Sequence, residues 1–304
     1  MTFKTKNSLS SLNVDFDTDA ECRQALEELR WPDGVKCLRC DSDSISRITT
    51  RKQYDCNACR YRFSVTTGTI FHDSHLALPK WFMAVFLMCE SKKGVSANQL
   101  RRTLGVAQKT AWYMAHRIRK AMSDANPSPL SGTVEVDETY LGSKRRTHGI
   151  GRGNYRQFKQ IVLGAVERDG RLRMSAGLNN KRETLHGFIH ANVADEAANI
   201  YTDSLPAYCG IGDANTKHEV VDHSRHEYVR GDVHTNTIEG AFGLFKRGLV
   251  GSFHQISRKH LDRYLDEFEF RYNNRRNPYL FRDTLTRLVQ AEAMPYEKLT
   301  SQTA

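Results

Sequence analysis

No stretch of this 304-residue chain comes near the roughly 18 consecutive apolar residues of a membrane span, and the opening MTFKTKNSLSSLNVDFD lacks the apolar core of a secretory signal. The chain is therefore expected to stay in the cytoplasm, with no membrane partner. Acidic residues are in deficit, 35 against 45 Lys and Arg, and the resulting net charge of +10 favours a polyanionic partner. Cysteines are few and odd in number, seven in all, which argues against a disulfide framework and against redox chemistry. Internal repeats and low-complexity tracts are absent. What remains is ordinary globular composition, 39% hydrophobic and 26% charged, with length enough for two or three cores.

Composition shifts divide the chain. Residues 1–20 are polar and read as a loose arm. Cysteine pairs dominate the next stretch, read as a zinc ribbon over 21–75. Apolar positions three and four apart from Leu78 to Met122 read as helical, within a segment set at 76–125. The Asp-Ala-Asn-Pro-Ser-Pro stretch ending at Pro129 marks a linker, placed at 126–132. Short β-rich runs follow: TVEVDETYL from Thr133, QIVLGAVE from Gln160, RLRMSAGL from Arg171. With a helical stretch from Glu183 to Val193, the run ANIYTD from Ala198 and two longer helices from about Asn236 and Ser257, they predict an α/β domain over 133–285 and a tail over 286–304.

Four cysteines carry a strong signal. Cys37 and Cys40 form one C-x₂-C and Cys56 and Cys59 the other, with the 15 residues 41–55 between them. Two such pairs can surround Zn²⁺ tetrahedrally, and four thiolates leave no open position, so the predicted zinc is structural. Cys22, Cys89 and Cys209 have no partner pattern and read as packed or surface thiols.

In the helical segment Pro79 suits a first turn, Ser96 can cap a short second helix and Gly105 makes the turn into a third. There Ala111, Met114, Ala115 and Ile118 share one face, so Lys109, Thr110 and Arg117 are expected to point outward. This is a helix-turn-helix layout, although a plain three-helix packing unit gives the same pattern.

Strict alternation in VEVDETY puts Glu135, Asp137 and Thr139 on one face of a strand, which an exposed edge strand would also explain. Asp203 ends the run NIYTD, the place where an α/β sheet delivers site residues. Glu239 falls in the first turn of a helix starting at HTNTIEG. Lys246 follows seven residues later, two turns on and within 20° of the same face. Asn236 and Glu239 could equally be an N-cap and its reciprocal acid.

The spacing 239 − 203 = 36, with lysine at +7, resembles the D, D-35-E signature of DDE transposases and retroviral-type integrases. The strings VDETY, HTNTIEG, KRG and FRYNNR, behind a zinc ribbon and helix-turn-helix, are similar to the zinc-ribbon class of bacterial insertion-sequence transposases, over roughly residues 20–285. The resemblance implies a multidomain chain with an α/β ribonuclease H-like catalytic domain, a mixed sheet flanked by helices. It implies Mg²⁺ (or Mn²⁺) held by Asp137, Asp203 and Glu239, with Lys246 as the accompanying lysine. Within the class the third ligand is sometimes Asn or His, and Asn236 and His234 stand nearby. The implied activity is binding of the element's terminal inverted repeats, then cleavage and strand transfer into target DNA, by a homodimer or higher oligomer at the bacterial nucleoid. A structure-specific nuclease and a DNA-binding regulator without catalysis are the alternatives. The chemistry asks for the same residue types, because phosphodiester attack is served by two hard cations about 3.5–4 Å apart on carboxylate ligands.

Between Thr139 and Val166 no acidic residue occurs, while Lys144, Arg145, Arg146, Arg152, Arg156 and Lys159 cluster in a Gly-rich stretch suited to clamping phosphates. A solvated loop would look the same.

Overall fold

The computed structural model describes residues 12, 14–124, 126–142, 159–212 and 216–301. Its elements in chain order are α1 (Asp19–Arg30), β1 (Ile45–Ile48), β2 (Gln53–Cys56), β3 (Arg62–Phe63), α2 (Leu78–Glu90), α3 (Ala97–Leu104), α4 (Gln108–Met122), β4 (Thr133–Leu141), β5 (Gln160–Glu167), β6 (Leu172–Gly177), α5 (Arg182–Asn192), β7 (Asn199–Asp203), β8 (Lys217–Val221), α6 (Asn236–Gly248), α7 (Leu261–Asn273), α8 (Leu280–Gln290) and α9 (Tyr296–Thr300). Contacts divide the chain into two units, one drawn from residues up to Ser123 and from Arg276 onward, the other from Asp124–Arg275.

In the first unit, Thr18 and Glu21 close a capping box: Thr18 Oγ1 accepts from Glu21 N–H at 3.2 Å and Glu21 Oε2 accepts from Thr18 N–H at 2.9 Å. The helix buries Cys22, Ala25 and Leu26. Leu12 and Phe16 are buried too, so the expectation of a loose arm to residue 20 does not hold for them. Strands β1, β2 and β3 form a three-stranded antiparallel sheet. Pro79 sits in the first turn of α2, which buries Trp81, Phe82, Val85 and Phe86. Ser96 Oγ accepts from Gln99 N–H at 3.1 Å, and Gly105, in the left-handed region at φ 61°, ends α3. Three residues separate α3 from α4, whose Ala111, Met114, Ala115 and Ile118 are buried.

The C-terminal segment returns to this unit. Phe281 of α8 packs edge-on against Phe82 and Phe86, and Thr284 Oγ1 lies 3.2 Å from Cys89 Sγ. The division at Arg276 therefore differs from the sequence-based boundary at 285 and the tail beyond it. The apolar face Phe281, Leu285 and Leu288 is covered by the first unit's helices, a partnership that periodicity does not specify.

The second unit is built on a five-stranded sheet ordered β6-β5-β4-β7-β8. The first three strands pair antiparallel, and β4, β7 and β8 pair parallel. Alternation splits the side chains between two cores. Val134, Val136, Ile161 and Leu163 pack with Leu185, Phe188 and Ile189 of α5. Leu141, Val162, Val166 and Leu172 pack with Ile238 and Phe242 of α6 and Leu261, Leu265 and Phe268 of α7. Strand β4 thus lies in mid-sheet, which excludes the edge-strand reading of Glu135 and Asp137. Gly164 of β5 allows α6 to come close, since a Cβ there would stand 2.7 Å from the Phe242 ring.

Strand β6 is an edge, and α7 covers its unpaired N–H groups. Leu172 N–H donates to Asn273 Oδ1 at 2.7 Å, Met174 N–H to Glu269 Oε2 at 3.0 Å and Ala176 N–H to Asp262 Oδ1 at 2.9 Å. Burial pushes Glu269 up to about 7 against the opposing Met174 N–H and Arg173.

Candidate functional site

The sheet brings two carboxylates side by side. Parallel register pairs Glu135 with Tyr201, and two further steps set Asp137 beside Asp203 on the same face. Asp137 also pairs with Gly164 across the antiparallel side. Burial pushes Asp137 up to about 8, opposed by the hydrogen bond from Glu138 N–H and reinforced by the charges of Glu138, Asp203 and Glu239. Asp203 Oδ1 accepts from Leu205 N–H at 3.0 Å. Glu239 comes from the first turn of α6, with Oε1 3.2 Å from the Thr235 hydroxyl that donates to it and 3.8 Å from His223 Nδ1. Among the described residues no Lys or Arg is ion-paired with any of the three. An oxygen-rich cluster short of positive charge is a donor set for hard divalent cations.

Several local expectations change. Thr235, rather than Asn236, is the N-cap of α6, and it makes no side-chain cap bond. The free N–H groups of the first turn are taken by Glu135 instead: Thr237 N–H donates to Oε2 at 2.7 Å and Ile238 N–H at 3.1 Å. His234 Nδ1 lies 3.2 Å from Glu135 Oε1. Asn236 and Lys246 are exposed on α6, the latter two turns beyond Glu239.

Two neighbours had no role in the sequence reading. Glu138 points to the other face, where Tyr208 O–H donates to its Oε2 at 2.7 Å, and burial with the nearby Asp203 charge raises it. His223, which has no metal-ligand spacing in the sequence, reaches Glu239 from the segment after β8. Its adjacency rests on a strand, KHEVV, whose polar face hides the β pattern.

The cysteines form the second centre. Sγ atoms of Cys37, Cys40, Cys56 and Cys59 all lie within 4.8 Å of one another, with 3.5 Å between Cys37 and Cys59 and 3.6 Å between Cys40 and Cys56. A tetrahedral ion with Zn–S near 2.3 Å requires about 3.8 Å between sulfurs, so the cluster fits zinc. Both pairs turn alike. Arg39 and Cys59 N–H point to the first sulfur of each pair, while Asp41 (φ 54°) and Arg60 (φ 59°) donate back to the Cys37 and Cys56 carbonyls. Trp31, Tyr54, Tyr61 and Phe63 pack around them.

Of the residues expected to meet DNA, Lys109 is exposed, its Nζ 4.4 Å from the Tyr296 ring, and Thr110 is half-buried. Arg117 does not face outward. It is 4% exposed, donates to His72 O at 2.6 Å and lies over the Trp81 and Tyr113 rings, because its long stem lets a helix position near the apolar face tuck the guanidinium inside. Lys144, Arg145, Arg146, Arg152 and Arg156 lie outside the described residues. Lys159 sets its Nζ 5.6 Å over the Tyr140 ring.

The regions that carry both centres match known families. Residues 17–62 match the transposase zinc-ribbon domain family, and residues 129–273 match the ISXO2-like transposase domain family. Over 281 residues the chain is 32% identical to a protein of the transposable element ISH50 of Halobacterium salinarum, covering 86% of this chain and 94% of that relative. Ribbon and α/β unit are thus both transposase modules. The chain belongs to the family of ISXO2-like, zinc-ribbon transposases of insertion elements.

Proposed function

We propose that this transposase binds the ends of its element through the first unit, then cuts and joins DNA at Asp137, Asp203 and Glu239. The observation that carries the reading is the convergence of these three carboxylates, from adjoining strands and a helix start, without a basic partner among the described residues. The strand order β6-β5-β4-β7-β8, three antiparallel and three parallel sharing β4, supports a ribonuclease H-like fold. Two Mg²⁺ or Mn²⁺ ions, when bound, supply the charge that steadies attacking and leaving oxygens of a phosphodiester. Asp137, central among the three, would be shared, with Asp203 and Glu239 each completing one side. Burial disfavours the ionised form of Asp137, so a cation held there would have to displace its proton. Lys246, exposed on the same helix face as Glu239, would steady a phosphate beyond the cut. His234 lies against Glu135, which favours Glu239 over His234 as third ligand. Asn236, one turn earlier, remains its competitor.

End binding is assigned to α3 and α4 as a helix-turn-helix, with Lys109 and Thr110 at the exposed start of the second helix. The basic stretch from Lys144 to Arg156 would clamp phosphates near the site. Two bound ends require at least two copies at the synapse. The test is incubation of end-bearing DNA with Mg²⁺ and a target plasmid. Nicked ends and joined products are expected from the wild type and neither from Asp203→Ala, with end binding intact. Nicks that never become joints would make it a nuclease, and cleavage surviving in Asp203→Ala would remove the site.

A further inference from the structure

The carboxylate of Glu135 is fully buried, two residues before Asp137 on the same face of β4 and about 7 Å from it along the strand. It accepts four hydrogen bonds. Two come from the first-turn N–H groups of α6 at Thr237 and Ile238, one from the Thr237 hydroxyl at 2.8 Å and one from Arg168 Nε at 3.1 Å. A carboxylate has about four lone-pair sites, so none is left for a cation. Glu135 is therefore no metal ligand.

Its partners bind the pieces that carry the acids. Ile238 is followed directly by Glu239. Arg168 also donates to the Asp232 carbonyl, just ahead of α6, and its guanidinium lies 4.9 Å from the ring of Tyr201. Tyr201 is the register partner of Glu135 and stands two residues before Asp203. One layer made of Glu135, Arg168 and Tyr201 thus underlies the acidic layer and touches all three elements supplying it. An anionic carboxylate on a helix N-terminus also meets the positive end of the helix dipole.

We propose that Glu135 is a positioning residue, which locks the first turn of α6 onto β4 and so sets where Glu239 stands relative to Asp137 and Asp203. This rests on the three acids being the cation site. With the lock weakened, each acid is intact but the site no longer has a fixed span, and cation affinity falls. Partners of this kind behind metal ligands are commonly worth about 10- to 100-fold in affinity.

The test is direct Mn²⁺ binding to the full-length protein without DNA, read by paramagnetic resonance of the free ion, beside cleavage against Mg²⁺ concentration. Glu135→Gln is expected to raise the Mn²⁺ Kd and the half-saturating Mg²⁺ about tenfold, with the cleavage rate at saturating metal within a few-fold of wild type. Thr237→Val removes only the hydroxyl donor and should shift both in the same direction by a few-fold, so the idea stays testable if Glu135→Gln fails to fold. A merely structural role would lower the active fraction and leave Kd unchanged. An unchanged Mn²⁺ Kd in either folded variant overturns the proposal. Asp137→Ala separates it from the site itself. If Asp137→Ala still binds Mn²⁺ and cleaves as wild type, the site assignment fails, whereas if it is dead and Glu135→Gln is normal, only the lock fails.

Discussion

In the zinc ribbon, four sulfurs are gathered by two turns of the same local geometry, 15 residues apart, with backbone N–H groups and carbonyls fixing each turn. In the α/β unit, three carboxylates arrive from β4, β7 and α6, and their mutual repulsion opposes the arrangement. The first cluster is part of what folds its sheet, since the ribbon's apolar cover is one small group of aromatic residues around the cysteines. The second is imposed on two sizeable cores that hold without it. Metal removal should accordingly unfold the first region and leave the second folded, with the repulsion among its acids uncompensated.

The largest effect should come from Cys56→Ser. Loss of structural zinc costs on the order of 10 kcal/mol of folding energy, so zinc analysis should read zero, end-DNA binding should vanish and calorimetry should lose the ribbon's transition while the α/β transition stays. A zinc-free ribbon that melts as before would break the contrast.

Asp137→Asn should cut strand cleavage by about three orders of magnitude or more, yet the metal-free α/β unit should melt higher, by on the order of 2 kcal/mol at pH 7. The sign follows from the raised Asp137. Its unfavourable contribution is absent below about pH 4, where both folded and unfolded states are protonated, and grows toward pH 8. Thermal melts at both pH values check it, and a lower melting point at pH 7 would contradict the repulsion.

Glu269 sharpens the point that helix and sheet, not metal, hold the second unit. Its folded value near 7 exceeds the ordinary 4.5, so stability present at pH 4.5 should be lost as pH rises to about 7, by about 3 kcal/mol at most. In Glu269→Gln that slope should flatten, as urea titrations across this range would reveal. A smaller effect on cleavage than that of Asp137→Asn is expected of Gly164→Ala. The new methyl would press on Phe242 and Ile238 and push α6 outward, at about 1–3 kcal/mol, with a matching loss of cleavage as Glu239 shifts. Unchanged melting and cleavage would mean that α6 has room to spare.

Legibility followed range. Strands β4 and β5 read off their β-rich runs, because a mid-sheet strand declares itself locally, and so did the cysteine turns, the Ser96 cap and the Gly105 turn. The capping box Thr18-Asp19-Ala20-Glu21 was equally local and could have announced α1. What stayed hidden depends on distant partners. The carboxylate that occupies the start of α6 is about a hundred residues away in Glu135, so local spacing favoured Asn236 as the cap. Arg117 looked outward because a helical wheel counts positions, not where a long side chain ends. Strand β8 shows mixed polarity and becomes a strand only through its neighbour β7.

The return of α8 to the first unit has a consequence for how the protein is made. Ribosomes deliver the ribbon and helices α1–α4 first, but Phe281, Leu285 and Leu288, which complete their core, emerge only after the whole α/β unit. Until then the Phe82 and Phe86 surface has no cover from that helix. A chain stopped at Arg275 would hold every acid of the site and every zinc cysteine, but not a finished first unit. If the first unit binds element ends as proposed, incomplete translation products would be poor competitors for them, because the core of that unit is completed only after the α/β unit has been synthesised.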